Sequence, residues 1–119
     1  MSELNTASEL LPTARKEGTT LVASVRGEID LHNSPDLRTV LLDLLVKHDP
    51  RKLILNLGQV PYMDSSAIAV LVECLQKMRR TAGKIYLTDL QPRVKGLLEI
   101  AKLDSIFIVT RDETEAMEK

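Results

Sequence analysis

The run Lys52-Leu53-Ile54-Leu55-Asn56-Leu57 is followed, after Gly58 and Pro61, by Met63-Asp64-Ser65-Ser66-Ala67-Ile68. A short apolar run bounded by turn residues is typical of a buried strand. Asp and Ser favour the start of a helix, because their side-chain oxygens accept hydrogen bonds from backbone N–H groups that have no partner within the helix. This stretch therefore predicts a strand, a turn and a helix that begins near Ser65.

The predicted helix start presents two hydroxyl groups, those of Ser65 and Ser66, at the positive end of a helix dipole. An added phosphate is favoured at that position by the dipole and by the free N–H groups. The residues alone leave two interpretations open. Asp64-Ser65-Ser66 is either a reversible phosphorylation site or simply the cap that a strand-to-helix junction needs.

The helix that follows is apolar on all sides over its first turns, from Ala67 to Val72. A surface helix normally buries one stripe of apolar residues. Either both sides of these turns are buried, or one side forms an exposed apolar patch beside the serines. Such a patch usually marks a contact surface.

The rest of the chain predicts strands and helices in regular alternation. An N-terminal hairpin pairs Leu10–Lys16 with Thr20–Gly27 across a turn at Glu17-Gly18. A helix follows that is capped by Ser34, has Pro35 as its first residue and ends before Pro50; the strand at Lys52–Leu57 and a helix from Ser65 to Thr81, stopped by Gly83, come next. The last predicted elements are a strand at Lys84–Leu87, a helix at Pro92–Ala101, a strand at Ile106–Val109 and a terminal helix at Asp112–Lys119. The apolar face of the helix at Pro92–Ala101 is formed by Val94, Leu97, Leu98 and Ala101.

This order predicts an α/β fold: a single domain over residues 10–119, with a mixed, mostly parallel sheet and helices packed on it. Residues 1–9 are polar and are expected to be flexible. The N-terminus lacks the basic start and apolar segment of a signal peptide, and no apolar run reaches the roughly 20 residues that span a bilayer. We therefore expect a soluble, cytoplasmic protein.

The composition argues against several classes of protein. The 119 residues include 16 basic and 17 acidic side chains, for a net charge of -1, and 3% aromatic residues. This balance favours neither nucleic acid nor membrane as a direct partner. The single cysteine, Cys74, excludes an internal disulfide and lies in an apolar helix, where a buried hydrophobe is expected.

No catalytic, cofactor or metal site is predicted. The two histidines, His32 and His48, are scattered, and no Cys/His/carboxylate set has the spacing of metal ligands. The serines of Met63-Asp64-Ser65-Ser66-Ala67 lack the flanking glycines of a hydrolase nucleophile, and no Gly-rich phosphate loop is present. Without a nucleophile–base set, we expect a protein that is not an enzyme.

Several motifs taken together resemble the STAS-domain anti-sigma factor antagonists, over roughly residues 10–112. They are Gly27-Glu28-Ile29-Asp30 after a strand, Ser34-Pro35 and Tyr62-Met63-Asp64-Ser65-Ser66 at two helix starts, Leu90-Gln91-Pro92-Arg93-Val94 with Leu97-Leu98, and Leu103-Asp104-Ser105-Ile106-Phe107. Each motif is weak alone, but their order and spacing are fairly specific. One departure is Ala67, where the family commonly has Gly.

The resemblance implies a switch in which Ser65 is the phosphorylated residue, with Ser66 as the alternative. The unphosphorylated protein, a monomer when free, would bind an anti-sigma factor that is also a serine kinase of the histidine-kinase-like ATPase type. Phosphorylation would block that binding, and a PP2C-type serine phosphatase would restore it. Two alternative functions are open within this family. The protein could be a STAS module of another assembly, either a stressosome scaffold or a lipid-transport ATPase accessory subunit, or it could be a small-molecule sensor.

The expected binding surface combines two segments that follow the carboxyl ends of parallel strands and should lie at one edge of the sheet. They are the loop residues Asp30, His32 and Asn33, and the helix-start residues Asp64, Ser65, Ser66 and Ile68. The alternative for the loop at 27–33 is an ordinary solvated connection. On the binding interpretation, Asp30→Lys should weaken partner binding and leave stability within about 0.5 kcal/mol.

Overall fold

The computed structural model describes residues 2–4, 6 and 8–119, and its central feature is a six-stranded sheet whose strand order follows the chain. The strands are β1 (Ser2–Glu3), β2 (Thr13–Glu17), β3 (Thr20–Arg26), β4 (Lys52–Gln59), β5 (Lys84–Thr88) and β6 (Ile108–Thr110). Pairing is antiparallel from β1 to β3 and parallel from β3 to β6. The predicted hairpin and mostly parallel sheet are confirmed.

Four helices connect or follow these strands: α1 (Ser34–His48), α2 (Ser65–Arg80), α3 (Pro92–Ile100) and α4 (Glu113–Glu118). The main core lies between one face of the sheet and α1, α2 and α3. On the other face, Ala116 of α4 packs against Val22, Ile54 and Tyr86. Because β4 is covered on both faces, Leu53, Ile54 and Leu55 are all buried, as an uninterrupted apolar run predicts.

The start of α1 differs from its prediction. Asn33 occupies the N-cap position, Ser34 is the first helical residue, and Pro35 follows as the second. The Ser34 side chain is buried instead of capping the helix. The Asn33 side chain bonds to the preceding loop, with Nδ2 donating to the carbonyl of Glu28 at 2.8 Å.

The end of α2 is also built differently from the expected glycine stop. Ala82, with φ +59°, takes the left-handed conformation, and Gly83 follows it with an N–H that donates to the carbonyl of Met78 at 2.7 Å. Gly83 is needed for space instead, since a Cβ there would lie 2.7 Å from Cε of Met78 and 3.1 Å from the carbonyl oxygen of Arg51. The glycine lets α2 end directly against the start of β4.

Near the C-terminus, the last strand starts later than predicted and the apolar face of α3 is narrower than predicted. The last strand begins at Ile108 instead of Ile106, because residues 103–106 form a turn with Ile106 N–H donating to the carbonyl of Leu103. On α3, Val94 and Leu98 are buried, Leu97 is half-buried, and Ala101 is exposed, so the apolar face is narrower than predicted.

The apolar first turns of α2 are largely covered. Ala67, Val70 and Leu71 are buried, Ile68 and Val72 are half-buried, and Ala69 alone in this stretch is exposed. Cys74, further along, is buried, and desolvation raises the pKa of its thiol to about 12. Of the two alternatives that the sequence left open, burial of both sides is the closer description.

The flexibility predicted for residues 1–9 stays a prediction, and residues 1, 5 and 7 lie outside the described residues. Within the described part of that segment, β1 pairs with β2 and the Leu4 N–H donates to the carbonyl of Ala14 at 2.8 Å. In the part of the chain that the structure describes, no helix has the length and apolar character required to cross a membrane.

Candidate functional site

Two loops at the carboxyl edge of the parallel sheet are joined by backbone hydrogen bonds. The N–H of Gly27 donates to the carbonyl of Gln59 at 2.9 Å, and the N–H of Ile29 donates to that of Tyr62 at 3.1 Å. The Asp64 N–H returns a bond to the carbonyl of Ile29, also at 3.1 Å. The β3–α1 loop and the start of α2 therefore form one continuous surface, which confirms that the two predicted segments lie at the same edge.

The β3–α1 loop is held by the side chains of Asp30 and Asn33. The Asp30 carboxylate accepts the N–H groups of His32 at 2.9 Å and Asn33 at 3.3 Å. In return, Oδ1 of Asn33 accepts the N–H of Asp30 at 2.8 Å. These reciprocal bonds give the loop a defined shape. They also mean that Asp30→Lys would change the loop's structure together with its charge, contrary to the expectation of a neutral surface change.

Asp64 caps α2. Its carboxylate accepts the N–H of Ser66 at 2.9 Å and the hydroxyl of Ser66 at 2.5 Å. The hydroxyl bond is the main cause that lowers the pKa of Asp64, and the N–H groups of Ser66, Ala67 and Leu31 add to it. The N–H of Asp64, which donates to the carbonyl of Ile29, ties the cap to the β3–α1 loop. Asp64 is thus an ionised, fixed negative charge at the helix start.

The two serines have different surroundings. Ser65 is the first residue of α2 and is exposed, and the described residues offer its hydroxyl no hydrogen-bond partner. Ser66 is half-buried and its hydroxyl is engaged with Asp64. Ala67 is buried, and Ile68 is half-buried against the core, so only part of the Ile68 side chain faces outward. Ser65 is therefore the hydroxyl that solvent or an enzyme reaches first.

Two exposed apolar side chains beside the serines were missed by the sequence reasoning. Leu31 is 74% exposed, and Tyr62 is 37% exposed with the guanidinium carbon of Arg93 at 4.7 Å from its ring centre. An apolar residue in the otherwise polar segment Asp30–Asn33 was a readable signal for Leu31. The Tyr62–Arg93 contact joins residues far apart in sequence, and no local pattern indicates it.

The start of α3 belongs to the same edge. Nε2 of Gln91 donates to the carbonyl of Gly58 at 2.8 Å, which fixes the β5–α3 connection beside the end of β4. The edge thus presents an exposed serine, two exposed apolar side chains, and the carboxylates of Asp30 and Asp64, each held by backbone hydrogen bonds. Its chemistry suits protein binding.

The side chain of His32 is exposed, and its backbone N–H donates to the carboxylate of Asp30. Among the described residues, no group of three or more His, Cys, Asp or Glu side chains is placed to hold a metal ion. This edge presents an accessible hydroxyl at a helix start that backbone hydrogen bonds join to the neighbouring loop.

The architecture described above is that of a known domain family. The chain belongs to the STAS domain family, whose model matches residues 12–116.

Relatives in this family are anti-sigma factor antagonists. The chain is 25% identical over 97 residues to the anti-sigma F factor antagonist of Paenibacillus polymyxa, covering 82% of this chain and 83% of the relative. It is 29% identical over 85 residues to the anti-sigma-B factor antagonist of Staphylococcus aureus, with 71% and 78% of the two chains covered.

A solved structure of the anti-sigma factor antagonist SpoIIAA, in its unphosphorylated form, superposes with a TM-score of 0.76 at 21% identity, over 88% of this chain and 91% of that one. The phosphorylated form of SpoIIAA from Bacillus has a TM-score of 0.68 at 20% identity, over 88% and 95%. At these identities the likeness establishes the fold.

Proposed function

We propose that this protein is an anti-sigma factor antagonist that works by partner switching. Its unphosphorylated form binds an anti-sigma factor that is also a serine kinase of the histidine-kinase-like ATPase type. Phosphorylation of Ser65 blocks this binding, and a PP2C-type phosphatase reverses the block. The observation that carries the proposal is the exposed Ser65 at the first position of α2, on an edge whose neighbouring loop is rigidly held.

The choice of Ser65 over Ser66 rests on accessibility. A kinase must bring the hydroxyl in line with the γ-phosphate of ATP, and a hydroxyl already bonded to a carboxylate has to give up that bond first. Ser66 donates to Asp64, whereas Ser65 is exposed. In this proposal Ser66 and Asp64 hold the helix start while Ser65 receives the phosphate.

Phosphate at Ser65 changes the surface and spares the fold. It adds a charge of about -1.5 to -2 at pH 7. The positive end of the helix dipole favours that charge, so we expect the domain to stay folded. The outward side is affected more strongly, because Asp64 and Asp30 already place negative charge at this edge.

Loss of binding follows from desolvation. A partner that packs on Leu31 and Tyr62 excludes water from the neighbouring Ser65. A dianion buried there without a cationic partner costs several kcal/mol, and each 1.4 kcal/mol weakens binding tenfold. The same surface therefore binds in one state and is released in the other, with Mg²⁺ and nucleotide supplied by the kinase. The domain itself is proposed to have no catalytic turnover.

The test uses an anti-sigma factor kinase from the same genome, with three variants compared by calorimetry. Ser65→Ala should bind as tightly as the unphosphorylated wild type and resist phosphorylation. Ser65→Asp should bind more weakly, although less so than the phosphorylated protein, since one carboxylate carries about half the charge of phosphate. Ser66→Ala is the matched control and should still be phosphorylated.

Mass spectrometry after incubation with kinase and ATP locates the phosphate. We expect it on Ser65 in the wild type and in Ser66→Ala. Phosphate confined to Ser66, or equal affinity for all folded variants, would mean that Ser65 is only part of a helix cap. Circular dichroism on each variant separates loss of binding from loss of structure.

A further inference from the structure

The end of the sheet opposite Ser65 carries a concentration of positive charge. The strands β4 and β5 begin there, and the helices α1 and α2 end there. The eight residues of β4 alone separate the two ends by roughly 26 Å. We define the basic end by five cationic residues, all exposed except the half-buried Lys77: Arg51, Lys77, Arg79, Arg80 and Lys84.

These residues form one surface. The N–H of Lys84 donates to the carbonyl of Arg51 at 3.0 Å, which places the two strand starts side by side. The last turn of α2 lies against them, since the site of a Cβ on Gly83 is 3.1 Å from the Arg51 carbonyl and 3.2 Å from that of Met78. The charges of α2 and of the two strands therefore adjoin.

The positive charge of the basic end is not neutralised by ion pairs. In residues 2–4, 6 and 8–119, none of the five cations lies within 4.0 Å of a carboxylate oxygen. Glu73 is near Lys77 and Arg80, but both of its oxygens are bonded to Arg38 at 2.6 and 2.7 Å. The helix dipole favours cations in the last turn of α2, whereas Arg51 directly precedes β4 and Lys84 begins β5, so neither of these two lies in a helix that would favour its charge.

A cleft of about 300 Å³ opens within the basic end, between the last turns of α1 and α2. Lys77 and Arg80 are among its lining residues, and Asp49 is the one acidic residue among them. Its remaining wall includes the apolar side chains of Leu45, Val46, Pro50 and Met78. Val46 is 66% exposed, so the cleft offers an accessible apolar surface next to unpaired positive charge.

We propose that the basic end is a second docking surface, for an acidic segment of a partner protein that places an apolar side chain in the cleft. Charge complementarity selects an anionic partner, and the apolar wall selects one with aliphatic side chains between its carboxylates. Nucleic acid fits less well, because no aromatic side chain lines the cleft to stack on a base. Since this surface faces away from Ser65, it is available while the other edge is occupied.

The first experiment uses a short fluorescein-labelled peptide of alternating Glu and Leu residues, with a Gln/Leu peptide as control. Titration of the full chain by amide-resolved NMR should shift the resonances of residues 77–81, Asp49 and Arg51 and leave those of Ser65–Ile68 unchanged. The affinity should fall as salt is raised. Equal binding of the Gln/Leu peptide, or shifts confined to the Ser65 edge, would overturn the proposal.

Variants then assign the binding to these residues. Lys77→Glu combined with Arg80→Glu should weaken peptide binding more than tenfold. Lys95→Glu combined with Lys102→Glu, the same charge change on exposed lysines of and after α3, should leave it within twofold. Arg51→Gln with Lys84→Gln leaves the last turn of α2 intact and should weaken binding severalfold, so that the proposal remains testable if the first pair fails to fold.

Competing probes identify the class of partner. Vesicles containing phosphatidylserine and a single-stranded oligonucleotide should each compete poorly with the Glu/Leu peptide. Tighter binding of either one would assign the basic end to a different class of partner and overturn the proposal, as would equal weakening by the Lys95/Lys102 control pair.

Discussion

Asp30 shows how a residue at the candidate site combines a structural and a surface role. Its carboxylate accepts two backbone N–H groups of the β3–α1 loop, at 2.9 and 3.3 Å. A charge reversal at this position removes both bonds and so cannot report on the charge alone. Asp30→Asn is the cleaner substitution, because the amide oxygen retains the acceptor and only the charge is lost.

Asp30→Asn should leave the free energy of unfolding within about 0.5 kcal/mol. Asp30→Ala should lower it by roughly 1 to 2 kcal/mol, because two backbone N–H groups lose their acceptor. Urea unfolding of both variants checks this, and kinase binding by the Asn variant then measures the contribution of charge. Equal stability of the Ala and Asn variants would mean that the two loop bonds contribute nothing.

The starts and ends of the helices show which boundaries could be predicted from the local sequence. The helix starting at Ser65 was predicted correctly, because the run Asp64-Ser65-Ser66 offers capping oxygens directly before an apolar helix. At α1, Asn33 and Ser34 are both residue types that favour the cap position, and the helix begins one residue earlier than predicted, with Asn33 at the N-cap and its side chain bonded to Glu28 and Asp30. The end of α2 was misread because Gly83 is the residue type that favours left-handed backbone, whereas the conformation falls on Ala82.

That exchange of roles at the end of α2 predicts opposite effects for two neighbouring substitutions. Ala82→Gly should raise the free energy of unfolding by about 0.5 to 1 kcal/mol, because it relieves left-handed strain at some cost in backbone entropy. Gly83→Ala should lower it by roughly 1 to 3 kcal/mol, because its Cβ would crowd Met78 and the backbone oxygen of Arg51. Thermal unfolding of both variants provides the measurement. Two changes of the same sign would refute this description of the helix end.

At the scale of the whole molecule, the parallel strands give the domain two chemically distinct ends. All β-to-α connections of the parallel sheet lie at the Ser65 edge, so the sequence order was enough to predict that Asp30 and Ser65 share a surface. The Tyr62–Arg93 contact and the basic end were not predicted. Both depend on how α3 packs and where α2 ends, which are properties of the folded molecule that no local pattern encodes.

The acid stability of the molecule depends on carboxylates that the fold holds ionised. The hydrogen bond from Arg38 lowers the pKa of Glu73, and this pair joins α1 to α2. A carboxylate whose pKa is lower in the folded state than in the unfolded state stabilises the fold at pH values above its unfolded pKa, which is about 4.5 for glutamate. That contribution is lost as the pH falls through the folded value. The pKa of Asp64 is also lowered, by the hydrogen bond from the Ser66 hydroxyl, and that of Glu115 is lowered by hydrogen bonds from Arg111.

Glu73→Gln should therefore be less stable than the wild type at pH 7, and the difference should shrink as the pH is lowered from 4.5 to 3. Arg38→Gln should reproduce this pH dependence, because either substitution removes the same pair. Urea unfolding of the three proteins across this range measures the effect, with the difference between proteins cancelling the general acid destabilisation that they share. A difference that stays constant from pH 7 to 3 would mean that the pair makes no charge-dependent contribution. The contact between α1 and α2 would then depend on apolar packing alone.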